Sequence, residues 1–259
     1  MNQEERRIWL IREMQREMPQ YGGIAIPKEE AGRRRLLRSL FNLRQPYPAS
    51  EDFLRIQDEY LTELIRERGI VEAKELPSVG TDSRISLWKG DITTLRCDAI
   101  VNAANSSLTG CWQPCHSCID NIIHSLAGIQ LRIRCNEIMQ EQGHEEPAGT
   151  AKITPAYNLP CKYVLHTVGP IITGPLRSVD CETLADCYCS CLELAAANGV
   201  RSIAFCCIST GVFHFPQEKA AQIAVRTVSD FLKAGDSVRQ VIFNVFTDRD
   251  LAVYRDILE

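Results

Sequence analysis

Four side chains that bind soft metal ions occupy residues 111–118, and they are Cys111, Cys115, His116 and Cys118. Two thiolates and one imidazole can hold a zinc ion and leave its fourth tetrahedral position open, as in catalytic zinc sites. A closed site with three cysteines and the histidine is the alternative, because the spacing does not select among the four side chains. Buried thiols without metal are a weaker interpretation, given how tightly these residues cluster beside a histidine. The segment therefore predicts a metal site, and such ligands favour zinc over magnesium or calcium.

A carboxylate lies two residues beyond the last of these cysteines. Asp120 falls in the first turn of a predicted helix, where a carboxylate commonly stabilises the helix N-terminus. Beside a metal, the same carboxylate can orient or deprotonate a water molecule. The sequence gives these two interpretations equal weight. His124, one helical turn further on, is more typical of a hydrogen-bonded core histidine than of a metal ligand.

Polar or small residues also follow three predicted strands. Asp91 can accept a hydrogen bond from an exocyclic amino group such as adenine N6, or it can cap the turn that follows it. Asn102 and Asn105 suit a ribose or a phosphate, although asparagine is also a common turn residue. Residues 209–213 can direct backbone N–H groups at an anion next to a helix N-terminus, but a plain tight turn has the same sequence signature.

The elements that must position these residues follow from the hydrophobic pattern. From Ile85 onwards, short apolar segments alternate with helical periodicity, which is typical of strands and crossover helices layered on one sheet. The loops at the carboxyl ends of such strands bind ligands. The pattern therefore predicts an α/β sandwich, with strands at 85–89, 99–102, 163–167, 202–207 and 240–245, and helices at 119–127, 128–142, 181–198, 216–234 and 248–257.

The first 80 residues predict helices instead, at 8–18, 33–42 and 51–68, separated by proline-containing turns. We therefore divide the chain into a helical N-terminal extension, residues 1–80, and an α/β domain, residues 81–259. The extension either covers one face of the α/β domain or recognises a partner protein, and its sequence does not distinguish these roles.

Composition argues against several classes of protein. The formal net charge is −4, with 29 basic and 33 acidic residues, so no polycationic surface is available to bind nucleic acid nonspecifically. No apolar segment approaches the roughly 20 residues that span a bilayer, and no apolar leader follows the charged N-terminus. The twelve cysteines lie mostly in core-like segments and are expected to be reduced, buried thiols. We therefore expect a cytoplasmic protein that binds neither nucleic acid nor membrane.

Taken together, four segments resemble the macrodomain family: Gly90-Asp91-Ile92, Val-Asn-Ala-Ala-Asn-Ser at 101–106, residues 119–124, and Ser-Thr-Gly-Val-Phe at 209–213. The resemblance covers about residues 84–258, and the segments occur in the order that the family has. It implies a three-layer α/β/α sandwich with a mixed central sheet. Macrodomains bind ADP-ribose, and many of them hydrolyse it from modified proteins.

The resemblance also implies roles for individual residues. Asp120 falls where hydrolytic members carry a catalytic carboxylate, and we expect it to orient or deprotonate the nucleophile while Asn105 holds the distal ribose. Asp91 would recognise adenine, and Phe213 would pack near the distal ribose. The residues implied to bind adenine, ribose or the diphosphate are Asp91, Ile92, Asn105, Ser209, Thr210, Gly211, Val212 and Phe213.

One departure from the common family pattern is informative. Most macrodomains have a run of glycines before the Ile-Asp segment, whereas this chain has residues 111–118. The departure resembles the zinc-containing branch of microbial macrodomains, which also has a helical N-terminal extension. That resemblance implies Cys111, His116 and Cys118 as the zinc ligands, with Cys115 as an additional thiol outside the set.

The zinc-containing branch removes mono-ADP-ribose from acidic side chains, so the resemblance implies a zinc-dependent protein-ADP-ribose hydrolase. Its substrate would be a mono-ADP-ribosylated protein, and a lipoyl carrier protein is the candidate that the resemblance suggests. A reader module that binds ADP-ribose without cleaving it is the alternative, because only turnover separates the two. An interaction module stapled by a four-ligand zinc ion is a third interpretation, and it predicts no ADP-ribose binding.

Overall fold

The computed structural model describes residues 1–259 and contains eight α-helices and eight strands. The helices are α1 (Gln3–Glu17), α2 (Glu30–Leu43), α3 (Glu51–Arg68), α4 (Ile119–Ala127), α5 (Ile129–Gln142), α6 (Ser178–Ala197), α7 (Gln217–Ala234) and α8 (Asp248–Leu258). The strands are β1 (Val71–Glu72), β2 (Ile85–Lys89), β3 (Leu95–Arg96), β4 (Ala99–Ala103), β5 (Ala151–Pro155), β6 (Tyr163–Thr167), β7 (Ser202–Phe205) and β8 (Gln240–Val245).

Six strands form a central sheet in the order β2-β8-β7-β4-β6-β5. All neighbours pair in parallel except β5, which lies antiparallel to β6 at one edge. The parallel strands β4, β7 and β8 are almost entirely buried, so their sequences read as continuous apolar segments. This mixed sheet confirms the predicted α/β fold class.

Helices cover both faces of the sheet. Helix α6 packs against β5, β6 and α7, while α8 packs against α7 and β2. Helices α4 and α5 pack against each other, and α4 also packs against β4. The chain moves from β4 towards β6 but returns from β6 to β7, so its direction across the sheet reverses beside β4. Ligands of α/β proteins bind where this direction reverses, at the carboxyl ends of β4 and β7.

The three helices of the extension pack together and onto α4. Helix α1 contacts both α2 and α3, and these two helices contact α4. Leu10, Ile11 and Met14 form a buried stripe along α1, at the spacing of an amphipathic helix. They belong to the same hydrophobic core as the sheet, and β1 pairs with β3 beyond the predicted boundary at residue 80. The extension therefore covers the α4 side of the α/β domain.

Some elements differ from the sequence-based expectation. Helix α1 begins five residues earlier than expected because Asn2 caps it: the Asn2 side chain accepts the N–H of Glu5, whose carboxylate accepts the N–H of Asn2. Strands β1, β3 and β5 were not expected: β1 and β3 have two residues each, and the half-exposed edge position of β5 leaves no apolar segment to detect. No cysteine forms a disulfide, and all twelve are buried or half-buried. None of the helices combines the length and apolar composition needed to cross a bilayer.

Candidate active site

The carboxyl ends of β2, β4, β7 and β8 open into one cavity of about 880 Å³. Residues of α2 and α3 form the facing wall, so the extension contributes to the site directly. His116 and Cys118 line the cavity, whereas Cys111, Asn105 and Asp120 are not among its lining residues. The predicted substrate-binding residues that line it are Asp91, Ile92, Ser209, Thr210, Gly211, Val212 and Phe213.

Three of the four candidate metal ligands converge between β4 and α4. The ligand atoms of Cys111, His116 and Cys118 all lie within 4.8 Å of one another. The Cys111 Sγ and the His116 Nδ1 are 3.7 Å apart. Tetrahedral zinc, with bonds of about 2.3 Å to sulfur and about 2.0 Å to nitrogen, holds such atoms about 3.6 Å apart. The spacing of these two atoms and the donor types therefore fit a zinc ion.

Residues at the start of α4 give the metal loop its shape. Gly110 has a φ of 82°, and a Cβ there would lie 2.7 Å from the ring of His124, so only glycine fits. The Nδ2 of Asn121 donates to the carbonyl of Cys111 at 3.3 Å. Cys118 is the N-cap of α4, and its Sγ accepts the N–H of Asn121 at 3.4 Å. The same helix thus orders both ends of the loop.

Cys118 lies beside a second thiol in a half-buried position. Burial, together with the nearby Cys111 thiol, raises the pKa of Cys118 to about 12. A metal ion binds the thiolate, so binding at this pair would release protons to solvent.

Asp120 is 4% exposed and is held by two asparagine side chains. The Nδ2 of Asn102 donates to Asp120 Oδ1 at 2.8 Å, and the Nδ2 of Asn105 donates to Oδ2 at 3.2 Å. Burial raises the pKa of Asp120 to about 6, and the two hydrogen bonds oppose that rise. Its carboxylate does not cap α4, since Cys118 does so. Asp120 instead orients the amide of Asn105, the candidate ribose ligand.

The histidines behind this carboxylate belong to the core. His124 is buried with no hydrogen-bond partner on either ring nitrogen, and its Nε2 lies 3.6 Å from Asp120 Oδ1. It is thus a core residue, as expected, but without the expected hydrogen bond. The Nδ1 of His166 lies 3.2 Å from Asn102 Nδ2, and its Nε2 lies 3.0 Å from Thr154 Oγ1. Burial lowers the pKa of His166 to about 3, so this ring is neutral.

The loop at 209–213 presents backbone donors that have no protein acceptor. The N–H groups of Gly211, Val212 and Phe213 make no hydrogen bond within the protein. Ser209 has a φ of 64°, and its buried Oγ has no partner either. Helix α7 begins shortly afterwards, at Gln217. Free N–H groups next to a helix N-terminus suit an anion such as a diphosphate.

The far end of the cavity combines a carboxylate and an aromatic ring. Asp91 Oδ1 accepts the N–H of Thr93 at 3.0 Å, and Oδ2 lies 3.2 Å from Arg68 Nη1. Asp91 therefore caps its turn and also lines the cavity. Phe246, directly after β8, is 74% exposed and lines the same cavity, as expected of a surface on which a base stacks. An aromatic residue ending a buried parallel strand is the sequence signal that could have identified it.

Arg132 is a second functional candidate that the sequence pattern does not reveal. This residue of α5 is 5% exposed, and its guanidinium lies 4.1 Å from the ring of Trp112 in the metal loop. Burial lowers the pKa of Arg132 to about 10, so the group is charged at neutral pH. Its Nε donates to the carbonyl of Thr109 at 2.7 Å, and the two N–H groups of Nη1 are shared among the carbonyls of Phe41, Asn42 and Arg44 at 3.0, 2.8 and 2.9 Å.

Comparison with known proteins gives concordant matches. The Macro domain family profile matches residues 101–224. A protein-ADP-ribose hydrolase from Treponema medium is 60% identical over 260 residues, which covers 100% of both chains. A protein-ADP-ribose hydrolase from Staphylococcus aureus is 49% identical over 249 residues, covering 96% of this chain and 93% of the relative.

Solved structures of macrodomains also match this chain. The Trypanosoma brucei macrodomain in complex with ADP-ribose matches with a TM-score of 0.67 and 30% identity, covering 86% of this chain and 95% of that one. The Oceanobacillus iheyensis macrodomain with ADP matches with a TM-score of 0.62 and 38% identity, covering 67% of this chain and 89% of that one. This chain therefore belongs to the macrodomain family, and within it to the group whose members are named protein-ADP-ribose hydrolase.

Proposed function

We propose that this chain is a zinc-dependent protein-ADP-ribose hydrolase that removes mono-ADP-ribose from acidic side chains of modified proteins. The observation that carries the proposal is the shared cavity: His116 and Cys118 of the ligand cluster open into the same space as Asp91 and the 209–213 loop. The names of the full-length relatives support the hydrolase activity. The donor set of the cluster supports the choice of zinc.

The binding residues fit an extended ADP-ribose molecule. Asp91 and Phe246 would take the adenine by accepting from its amino group and stacking on its ring. The free N–H groups of residues 211–213 would bind the diphosphate. His116 and Cys118 then lie towards the distal ribose, whose anomeric carbon carries the bond to be broken.

Asn105 and Asp120 do not line the cavity, so they would act on that ribose by fixing the loop that follows β4. Asp120 accepts from the Nδ2 of Asn105, and Asn105 Oδ1 accepts the N–H of Ser107 at 3.0 Å, so the amide is fixed from both sides. Bound zinc would supply an open coordination position that polarises an oxygen of the ribose or of water. Two thiolate ligands nearly cancel the charge of that ion, which leaves orientation by the protein as the larger contribution.

The test measures release of ADP-ribose from a protein mono-ADP-ribosylated on aspartate or glutamate. Zinc-loaded protein should release it, and metal-stripped protein that remains folded should not until zinc is restored. Cys118→Ser should abolish release, whereas Cys181→Ser, which alters a half-buried thiol of α6 outside the cavity, should leave release unchanged.

Two further outcomes separate the alternatives. Tight ADP-ribose binding with no release by the zinc-loaded protein would favour the reader module. Asp120→Asn should slow release at least 10-fold with ADP-ribose affinity retained, because the amide cannot accept from both Asn102 and Asn105 in the same way. Full activity of Asp120→Asn would remove Asp120 from the mechanism. A mono-ADP-ribosylated lipoyl carrier protein is the substrate that we propose to test first.

A further inference from the structure

Cys115 lies in the metal loop next to His116, yet it is not part of the ligand cluster. Its Sγ donates to the carbonyl of Arg35 at 3.3 Å and lies 3.3 Å from Ser39 Oγ. Both partners belong to α2 of the extension. The thiol that has the right chemistry to be a fourth ligand is therefore bound to a helix that lies more than 70 residues earlier in the chain.

The backbone of Cys115 is held by the same helix. Its N–H donates to Asn42 Oδ1 at 2.8 Å. Its φ is 55°, in the left-handed region that residues other than glycine seldom adopt. Such a conformation persists only where the surrounding structure imposes it. The contacts with Arg35, Ser39 and Asn42 hold it here, together with the turn that the His116 N–H closes on the carbonyl of Gln113.

Helix α2 also anchors the neighbouring ligand. The Nη2 of Arg38 donates to the carbonyl of His116 at 2.6 Å and to Asn121 Oδ1 at 2.7 Å. Arg38 thus ties the backbone of a candidate ligand to the residue that orders the start of α4. Two consecutive residues of the metal loop, Cys115 and His116, are fixed by one face of α2.

We propose that α2 limits the metal site to three protein ligands by holding Cys115 on the extension, so that the fourth position stays open to water or substrate. The inference rests on the proposed zinc site. Released from α2, the Cys115 thiol would lose its proton to solvent, form a zinc–sulfur bond and displace the water from the fourth position. The product would be the closed Cys3His set of a structural zinc site, which offers no position to a substrate. The extension therefore determines how many of the metal's ligands come from the protein.

The test uses cobalt(II) in place of zinc, because the intensity of the sulfur-to-cobalt charge-transfer absorption rises with the number of thiolate ligands. The natural chain and Cys115→Ala should have the same absorption. The double variant Ser39→Ala/Asn42→Ala should gain about 1.5-fold in intensity, since three thiolates replace two. Adding Cys115→Ala to the double variant should restore the natural intensity. It should also restore the ADP-ribose release that the zinc-loaded double variant loses.

Two outcomes would overturn the inference about α2, and a third would refute the proposed metal site itself. A weaker absorption in Cys115→Ala would show that Cys115 is already a ligand and would overturn the inference, even if the double variant failed to fold. A folded double variant with unchanged absorption would overturn it as well. Absence of cobalt and zinc binding by the natural chain would instead refute the proposed metal site itself.

Discussion

Arg132→Met should destabilise the protein by about 3 kcal/mol, because it removes the group that joins α5, the end of α2 and the start of the metal loop. Methionine keeps the length of the aliphatic side chain beneath the Trp112 ring but has no donor. The four carbonyl oxygens that accept from Arg132 would lose a charged partner in a region where little water reaches them. Three of those carbonyls lie at the C-terminal end of α2 or just beyond it, where helix geometry leaves them without an intrahelical donor.

Two opposing contributions set the magnitude. A hydrogen bond to a charged group contributes about 2 kcal/mol, and three N–H groups of Arg132 reach these carbonyls, so together they contribute about 6 kcal/mol. Burial opposes this: the lowering of the Arg132 pKa from 12.5 to about 10 corresponds to roughly 3 kcal/mol against the charged form. Methionine carries no charge, so the variant does not have this cost of burying a charged group. The difference, about 3 kcal/mol, is the expected loss.

Urea unfolding of the metal-free protein at pH 7.5 measures the loss, with Arg134→Met as the matched control. Arg134 lies on the same helix, is 40% exposed and pairs only with Glu137, so its replacement should change stability by less than about 0.5 kcal/mol. Chelator competition should also show weaker zinc binding by Arg132→Met, because its loop anchor is gone. A loss below about 1 kcal/mol for Arg132→Met, or equal losses for both variants, would refute this account.

Three further predictions concern acid stability, adenine binding and loop geometry. Since the pKa of His166 is about 3 when folded and about 6.5 when unfolded, its stabilising contribution falls below pH 6.5, and by pH 5 about 2 kcal/mol should be lost; urea unfolding of His166→Gln at pH 8 and pH 5 should lack that loss. Phe246→Ala should weaken ADP-ribose binding about 10-fold in calorimetry, with zinc affinity unchanged, because base stacking contributes about 1–3 kcal/mol. Gly110→Ala should lower zinc affinity at least 10-fold through the contact with His124, whereas Gly143→Ala, with a similar φ of 75° but no neighbouring atom, should not.

The sequence predicts the parallel strands of the central sheet well and its antiparallel edge strand β5 poorly, and burial explains the difference. Strands β4 and β8 are covered on both faces, so Ile100 and Val101, or Ile242 and Phe243, stand side by side as apolar pairs. Strand β5 has one buried residue, Thr154, and therefore carries neither an apolar segment nor a clear alternation. Its place in the sheet is determined by pairing with β6, which depends on contacts that no local pattern encodes.

Part of the candidate site can likewise be predicted from the sequence, and part of it cannot. Loops at strand ends are predictable because the order of strands along the chain puts Asp91 and the 209–213 loop at one edge. The choice of three ligands among four metal-binding side chains is not predictable, because Cys115 lies as close to the other three in sequence as they lie to one another. What separates it from the cluster is its contact with Ser39, which joins two segments far apart in the chain. The contacts of Arg132 cannot be predicted from the sequence either, because its acceptors are backbone carbonyls.

The contacts of Cys115, His116 and Arg132 argue against treating residues 1–80 as a removable appendage. The core side chains of α1 to α3 belong to the same hydrophobic cluster as the sheet, so removing the extension would expose the apolar surface of α4 as well as free the metal loop. Exposed apolar surface lowers solubility and stability together. Because α4 provides both Cys118 and Asp120, a change in its packing would reach the metal cluster and the carboxylate at once. The extension and the site should therefore gain and lose their structure as one cooperative unit.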